Sequence, residues 1–241
     1  MNRPADSRTY QRSECAVFRK TGEGFGGLSN MAPGYPVQIN GARLLTVEAL
    51  YQACRFPHRV EVQWLIIRQH SPMTAKMVGK PYLRDSRTDW DRVRVKIMRW
   101  CLRLKLAAHW PKFSQLMLST GQRAIVEDSR KDSFWGAIPT DTDTLVGMNV
   151  LGRLLMELRE EIKAGVELRL VVPPAIPNFL LFDEPLAVVD FRTDRNSTNV
   201  TTEAQTEQLY EEPTVTLFAD TPSTHQVCEM SYERPRQEAT R

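Results

Sequence analysis

The chain has 241 residues, 41% of them hydrophobic, and a net charge of +3. That length fits one domain of ordinary size, or one domain with a tail, and the apolar share is enough for a core. The average charge makes no case for nucleic acid, and no apolar stretch approaches the ~20 residues that span a bilayer, so no membrane partner is expected.

Residues 1–12 are polar and predict a loose start. Residues 13–45 read as short strands and turns: Gly22, Gly24, Gly26 and Gly27 crowd one loop, and Ile39-Asn40-Gly41 is a hairpin turn. Helical periodicity begins at residue 46. Thr46 caps a helix that runs to about Phe56 and stops at Pro57. Its apolar stripe is Val47, Leu50, Tyr51 and Cys54; Glu48, Gln52 and Arg55 make the neighbouring polar stripe. Residues 60–69 form a second short helix, and Ser71-Pro72 opens a third with proline at the first helical position.

Thr88 followed by Asp91 resembles a capping box and opens a long helix to about His109. Residues 84–105 carry eight Lys or Arg against three Asp, which reads equally as a phosphate-facing surface or a solvated helix face. Pro111 starts the next helix, stopped by Gly121, and the last clear helix runs from about Met148 to Lys163 on a stripe of Met148, Leu151, Leu155 and Leu158. In residues 166–191 the apolar runs Leu168–Val172 and Phe179–Phe182 flank a proline-rich stretch and predict edge strands or an extended arm. Residues 192–241 turn to Thr, Glu, Asn and Ser, too few apolar groups to offset chain entropy, and predict a disordered tail.

Cys15, Cys54, Cys101 and Cys228 are scattered without a CxxC pair, and the N-terminus lacks a secretion signal's apolar core. Reduced thiols and a cytoplasmic location are expected. The four histidines show no metal-ligand spacing, so neither a zinc site nor a cofactor is expected. The glycosylation triplets at Asn196 and Asn199 carry no weight without secretion.

Three places draw attention for chemistry. Glu48 falls in the first turn of a helix, where the dipole alone explains a carboxylate, but it also follows the glycine-rich loop and shares a face with Gln52. The run from Ile125 to Gly136 passes from polar residues straight into Phe134-Trp135-Gly136, an irregular segment suited to lining a pocket. Trp135 and Gly136 serve there either as a stacking platform for a flat base or as a core plug beneath a loop. The segment from Gly147 to Arg153 places Asn149 at a helix start and Gly152 inside the helix, where glycine costs roughly 1 kcal/mol against alanine and implies a close approach. Such a helix start suits an anion. It is not a P-loop or dinucleotide fingerprint, and no nucleophile elbow or Cys–His pair stands out.

Taken in order, several blocks resemble one family. They are Gly27-Leu28-Ser29-Asn30-Met31; the helix from Thr46 through Glu48, Gln52 and Arg55 to Phe56; Ser71-Pro72-Met73-Thr74-Ala75-Lys76-Met77; Asp89-Trp90; the Met98-centred helix; Val126-Glu127 to Trp135-Gly136; and Gly147-Met148-Asn149 through Gly152 to Arg159. This ordered set, over roughly residues 16–163, is similar to the NADAR family. The resemblance implies a compact, mainly helical α+β single domain at 13–165 with a few short strands and a C-terminal extension. It implies an N-glycosidase acting on an ADP-ribose-containing or phosphoribosyl substrate. Two activities go with such proteins: cleavage of early riboflavin-pathway intermediates, and removal of ADP-ribose from guanine in nucleic acid as the antidote to an ADP-ribosyltransferase toxin. The wording LSNM, VEALYQACRF and IMRWCLRLKL leans towards the second, with ADP-ribosylated nucleic acid and a cognate toxin as implied partners. Many members carry histidine after the glutamate; here it is Ala49, so that position takes no part in the mechanism.

Under this resemblance Glu48 is expected as the principal acid/base group and Asp132 as the second carboxylate, orienting water or holding ribose hydroxyls. Asn149 would hydrogen-bond ribose or base, Trp90 and Trp135 would stack on rings or wall the pocket, and Asn30, Gln52, Gly136 and Gly152 complete the expected substrate site. Lys76, Lys80 and Arg84 are expected at phosphates on charge alone. A module that binds ADP-ribose without cleaving it is the rival reading from another class, and the presence of Glu48 and Asp132 weighs against it.

Overall fold

The computed structural model describes residues 6–192. The tail expected over 192–241 therefore lies outside the described residues beyond Arg192, as do His225, Cys228, Asn196 and Asn199. In chain order the elements are β1 (Arg8–Gln11), β2 (Cys15–Phe18), β3 (Val37–Ile39), β4 (Ala42–Leu44), α1 (Val47–Ala53), α2 (Val60–Ile67), α3 (Pro72–Val78), α4 (Trp90–Ala108), α5 (Trp110–Leu118), β5 (Ala124–Glu127), β6 (Ile138–Pro139), β7 (Thr144–Gly147), α6 (Val150–Lys163), β8 (Leu170–Val171), β9 (Leu180–Leu181), β10 (Glu184–Pro185) and β11 (Val189–Asp190). The fold is α+β, mainly helical with short strands, as expected. No helix among the described residues is long and apolar enough to cross a membrane.

The helices follow the apolar periodicity closely. Thr46 Oγ1 accepts the Ala49 N–H and Ser71 Oγ accepts the Thr74 N–H, the two caps expected for α1 and α3. Every residue of α1 is buried, Glu48 and Gln52 included, because α2, α3 and α4 pack around it. The inner stripe of α4 is Ile97, Cys101 and Leu104, each fully buried. Its outer face meets α6 through Arg99–Glu157 at 2.8 Å and Arg103–Glu161, the two arginines one turn apart on α4 and the two glutamates one turn apart on α6. Such exposed pairs contribute about 0–1 kcal/mol each, against about 1.5–3 for each buried Leu or Ile, so apolar packing holds the two helices and the charges set their register.

Three expectations are corrected. Thr88 does not cap α4: the helix starts at Trp90, Asp89 occupies the N-cap position, and the Asp89 carboxylate is drawn away to Arg87 at 2.6 Å. The chain start is not loose throughout: Arg8–Gln11 pairs antiparallel with β7, with Tyr10 opposite Leu145. Only Tyr10 of that strand is buried, too weak an alternation to be read without its partner. The segment from Ile125 is regular at its beginning, because Ala124–Glu127 forms β5 and runs parallel to β2, with Phe18 opposite Glu127.

Asn40 and Gly41 take φ of 48° and 72° and make the two-residue turn between β3 and β4. Asn40 has a second role. Its Nδ2 donates to the Pro185 carbonyl at 3.0 Å and its Oδ1 accepts the Ala187 N–H at 3.0 Å, fastening the segment beyond α6. That segment forms two small ladders, β8 with β11 and β9 with β10. Gln63, wholly buried on α2, donates to the Leu180 carbonyl and accepts the Phe182 N–H, and Trp64 stacks on Phe182 at 3.9 Å.

Candidate active site

A cleft of about 110 Å³ opens where α1, α3, α4, α6, the end of β5 and the loop after it converge. Its floor is the turn Ser29-Asn30-Met31. This turn is held from both sides. Asn30 carbonyl accepts the Glu48 backbone N–H at 3.3 Å, and the buried Lys105 ammonium donates to the Gly27 and Ser29 carbonyls at 2.6 and 2.9 Å. Tyr35 and Phe113 present their rings to that ammonium at 4.3 and 4.4 Å, replacing the water it has lost. Burial still pushes the Lys105 pKa well below its ordinary value.

Three carboxylates line the cleft: Glu48 from α1, Glu127 from the end of β5 and Asp132 from the following loop. Glu48 is only 6% exposed. Gln52, one helical turn on, donates its amide to Glu48 Oε1 at 2.9 Å. Burial raises the Glu48 pKa, with Asp132 adding to the rise, while Gln52 and Lys76 oppose it. Burial, and then repulsion from Glu48 and Asp132, pushes Glu127 up to about 7, again opposed by Lys76. Two carboxyls that crowd each other in a poorly hydrated cleft titrate as a pair, and both are held above the ordinary carboxylate range, the condition under which one can give a proton and the other take one. Asp132 is partly committed: its Oδ1 accepts the N–H groups of Phe134 and Trp135 at 3.0 and 2.9 Å, which folds the loop and presents Trp135 to the cleft. Lys76 stands at the mouth as the cation facing this acidic group.

Opposite the carboxylates, Tyr51 and Trp135 form an aromatic wall, edge to face at 5.6 Å. Burial, then Glu48, pushes the Tyr51 phenol up, so it stays a neutral hydroxyl. Asn30 places Nδ2 against Met98 Sδ at 2.8 Å and leaves Oδ1 buried with no protein partner. An unpartnered acceptor in a cleft wall suits a hydroxyl donor from a ligand.

The cleft thus gathers Asn30, Glu48, Gln52, Lys76, Asp132 and Trp135. The other expected residues stand elsewhere. Asn149 is wholly buried behind β5, its side chain bonded to the Ile125 carbonyl and the Glu127 N–H at 2.8 and 3.2 Å, so its amide is not free to hold ribose or base. Gly152 and Gly136 are crossings of backbone: a Cβ would lie 2.0 Å from the Ile125 carbonyl oxygen at the first and 2.6 Å from that of Glu127 at the second. All three position the strand that carries Glu127. Trp90 is buried behind Tyr51 at 5.0 Å, outside the cleft lining. Lys80 and Arg84 are exposed on the 3-10 turn Lys80–Asp85, away from the lining. The residues that sequence reasoning passed over are Tyr51 and Glu127. Tyr51 reads as core from its helical stripe, and Glu127 ends an apolar strand, its one signal being the switch from apolar to acidic at the mouth of an irregular loop.

Comparison with known proteins adds the following. The family profile described as NADAR domain matches residues 17–163. N-glycosidase YbiA of Escherichia coli (strain K12) is 34% identical over 148 residues, covering 60% of this chain and 86% of that protein. The riboflavin biosynthesis protein VVA0006 of Vibrio vulnificus (strain YJ016) is 32% identical over 166 residues, 69% of this chain and 43% of that protein. Among solved structures, the NMR structure of the E. coli protein YbiA superposes with a TM-score of 0.55 at 31% identity, covering 65% of this chain and 88% of that one.

Proposed function

The chain belongs to the NADAR domain family, and we propose that this N-glycosidase removes ADP-ribose from guanine in DNA, reversing a toxin-catalysed modification. The observation that carries the bond class is the pair Glu48 and Glu127, two mutually repelling carboxyls in one cleft, with Glu127 poised at about 7.

Breaking a ribose–nitrogen bond passes through an oxocarbenium-like state, with positive charge growing on the ribose carbon as the base departs with the bonding electrons. The protonated member of the pair gives its proton to the departing base nitrogen. The ionised member faces the growing positive charge and takes a proton from the attacking water. Lys76 favours the ionised member. The Tyr51–Trp135 wall supports a flat ring, and Asn30 Oδ1 accepts a ribose hydroxyl. Glu48 remains the first choice for the principal acid/base group. Glu127 joins it in place of Asp132, whose Oδ1 is spent on its own loop.

A second reading has its own support in the riboflavin biosynthesis relative: the same cleavage on ribosylaminopyrimidine phosphates. Incubation with DNA carrying ADP-ribosylated guanine, and separately with those phosphates, separates the two by chromatography of the released base. Release from the DNA substrate alone supports the first reading and release from the free nucleotides alone the second. Turnover of neither substrate sinks both.

A further inference from the structure

The basic run 84–105 resolves into different fates. Arg87 pairs with Asp89, Arg99 with Glu157 and Arg103 with Glu161, and Lys105 is buried under the cleft floor. Arg94 is different. Its guanidinium carbon lies 3.8 Å from the centroid of the Phe134 ring, and Phe134 packs edge-on to the cleft residue Trp135 at 5.0 Å. Its Nε is buried with no hydrogen-bond partner: Asp91 comes no nearer than 3.5 Å and is itself 86% exposed. Beside it stands Arg55, at the end of the helix that carries Glu48, with its guanidinium 4.9 Å from the Trp90 ring and its Nε on Ser86 Oγ at 2.8 Å. Among the described residues no carboxylate pairs with Arg55. The two guanidinium groups act on each other and on Tyr51 of the cleft wall, and the exposed Asp91 acts on Arg55 as well.

Two like charges held on neighbouring aromatic faces, with only the exposed Asp91 near both, are incompletely compensated. The arrangement is what a doubly charged oxyanion needs: fork-shaped donors pre-oriented by stacking, with little freedom left to lose on binding. We propose that Arg55 and Arg94 form the subsite for the 5′-phosphoryl group of the ribosyl substrate, next to the Tyr51–Trp135 wall. This rests on the reading that the ribose occupies the cleft, and it moves the phosphate from Lys80 and Arg84 to a pair on the aromatic side. The subsite takes the mono- or diphosphate of a ribosyl compound.

The test is calorimetric titration of the full chain with ribose, ribose 5-phosphate and ADP-ribose, for the wild type and for Arg55→Gln, Arg94→Gln, Arg94→Lys and Lys96→Gln. The last removes an exposed unit charge from the same helix. Circular dichroism and thermal melting confirm that each variant is folded. The wild type should bind ribose 5-phosphate at least tenfold more tightly than ribose. Each Gln variant should lose tenfold or more of that preference, Arg94→Lys should lose part of it, and Lys96→Gln should keep it. A wild type that gains affinity only with ADP-ribose, and none with ribose 5-phosphate, overturns the assignment to the 5′-phosphoryl group. A preference retained in both Gln variants, or lost equally in Lys96→Gln, overturns the proposal. Because these titrations need no turnover, they separate it from the catalytic reading. Loss of binding in the variants of a protein that cleaves no ribosyl bond leaves the subsite standing. Intact binding in the variants of an active enzyme removes the subsite alone.

Discussion

Asn149 holds Glu127 from behind. Its side-chain oxygen accepts the Glu127 N–H at 3.2 Å while its amide donates to the Ile125 carbonyl at 2.8 Å, so one buried residue fixes the end of the strand that delivers a carboxyl to the cleft. It does so from the left-handed region, φ 48°, where asparagine is among the few side chains tolerated.

Asn149→Ala removes both bonds and places an unsuited residue at that φ. Leaving buried backbone groups unpaired costs about 1–3 kcal/mol each, so a loss of about 2–5 kcal/mol in urea unfolding is expected. Base release per folded molecule should also fall, because the Glu127 strand end is no longer fixed. A stability loss with full activity per folded molecule would show that this strand end needs no clamp.

Glu127 makes stability depend on pH in a definite direction. Its carboxyl titrates near 7 in the fold but near the ordinary 4.5 when unfolded. The folded state therefore binds more protons between those values, and stability falls as pH rises from about 4.5 to about 7, by up to about 3 kcal/mol. Glu127→Gln should flatten that fall and be the more stable protein at pH 8. Urea midpoints across pH 4–8 check it, and identical slopes in the two proteins would contradict it. The same substitution should remove the limb near pH 7 from the turnover profile.

Glu48→Gln keeps the shape and the contact with Gln52 but cannot trade a proton at neutral pH. Turnover should drop by about 10²–10⁴-fold. Because Glu48 is the leading charge that repels the Glu127 carboxylate, the Glu127 midpoint should move down from about 7 in this variant, as read by carboxyl NMR titration. Unchanged turnover would remove Glu48 from the mechanism; an unmoved midpoint would uncouple the pair.

Lys105 titrates the other way. Its folded pKa lies well below its ordinary value, so the unfolded chain binds the proton more readily and stability rises with pH through the interval below about 10.5. Lys105→Met should lack that rise. Without donors to the Gly27 and Ser29 carbonyls the cleft floor should loosen, and KM should rise more than kcat falls. Equal slopes in the two proteins would mean that the ammonium is not buried in solution.

The helices were legible because each carries its own evidence: a stripe, a cap, a stopping residue. Ser71-Pro72 and Asn40-Gly41 declare themselves locally and the structure follows them. Strands β1, β6 and β7 exist through pairing between distant segments, and no local pattern in Arg8–Gln11 announces a partner at Thr144–Gly147. Thr88 was the plausible cap by spacing, but the Arg87–Asp89 pair decides how the chain enters α4. For the site, Glu48 and Gln52 lie one turn apart on one helix, a relation the sequence displays. Glu127 meets them only through the fold, and its burial, which sets its chemistry, is a property of what surrounds it. Asn149 shows the converse: a polar residue at a suggestive helix start whose hydrogen bonds are all spent inward.

The match to the family profile stops at residue 163, but the folded body does not. Leu168, Val171, Ile176, Phe179, Leu181 and Leu186 share one core cluster with α4, and Phe179 packs edge-on to Trp100 at 5.2 Å. A chain cut at the family boundary would lay bare the apolar surface that those side chains cover and take from Gln63 and Asn40 their backbone partners beyond α6. The domain shared with its relatives has thus become, in this protein, a piece that cannot be excised cleanly: a fragment ending near residue 165 should aggregate, whereas one ending near residue 192 should purify as a folded unit.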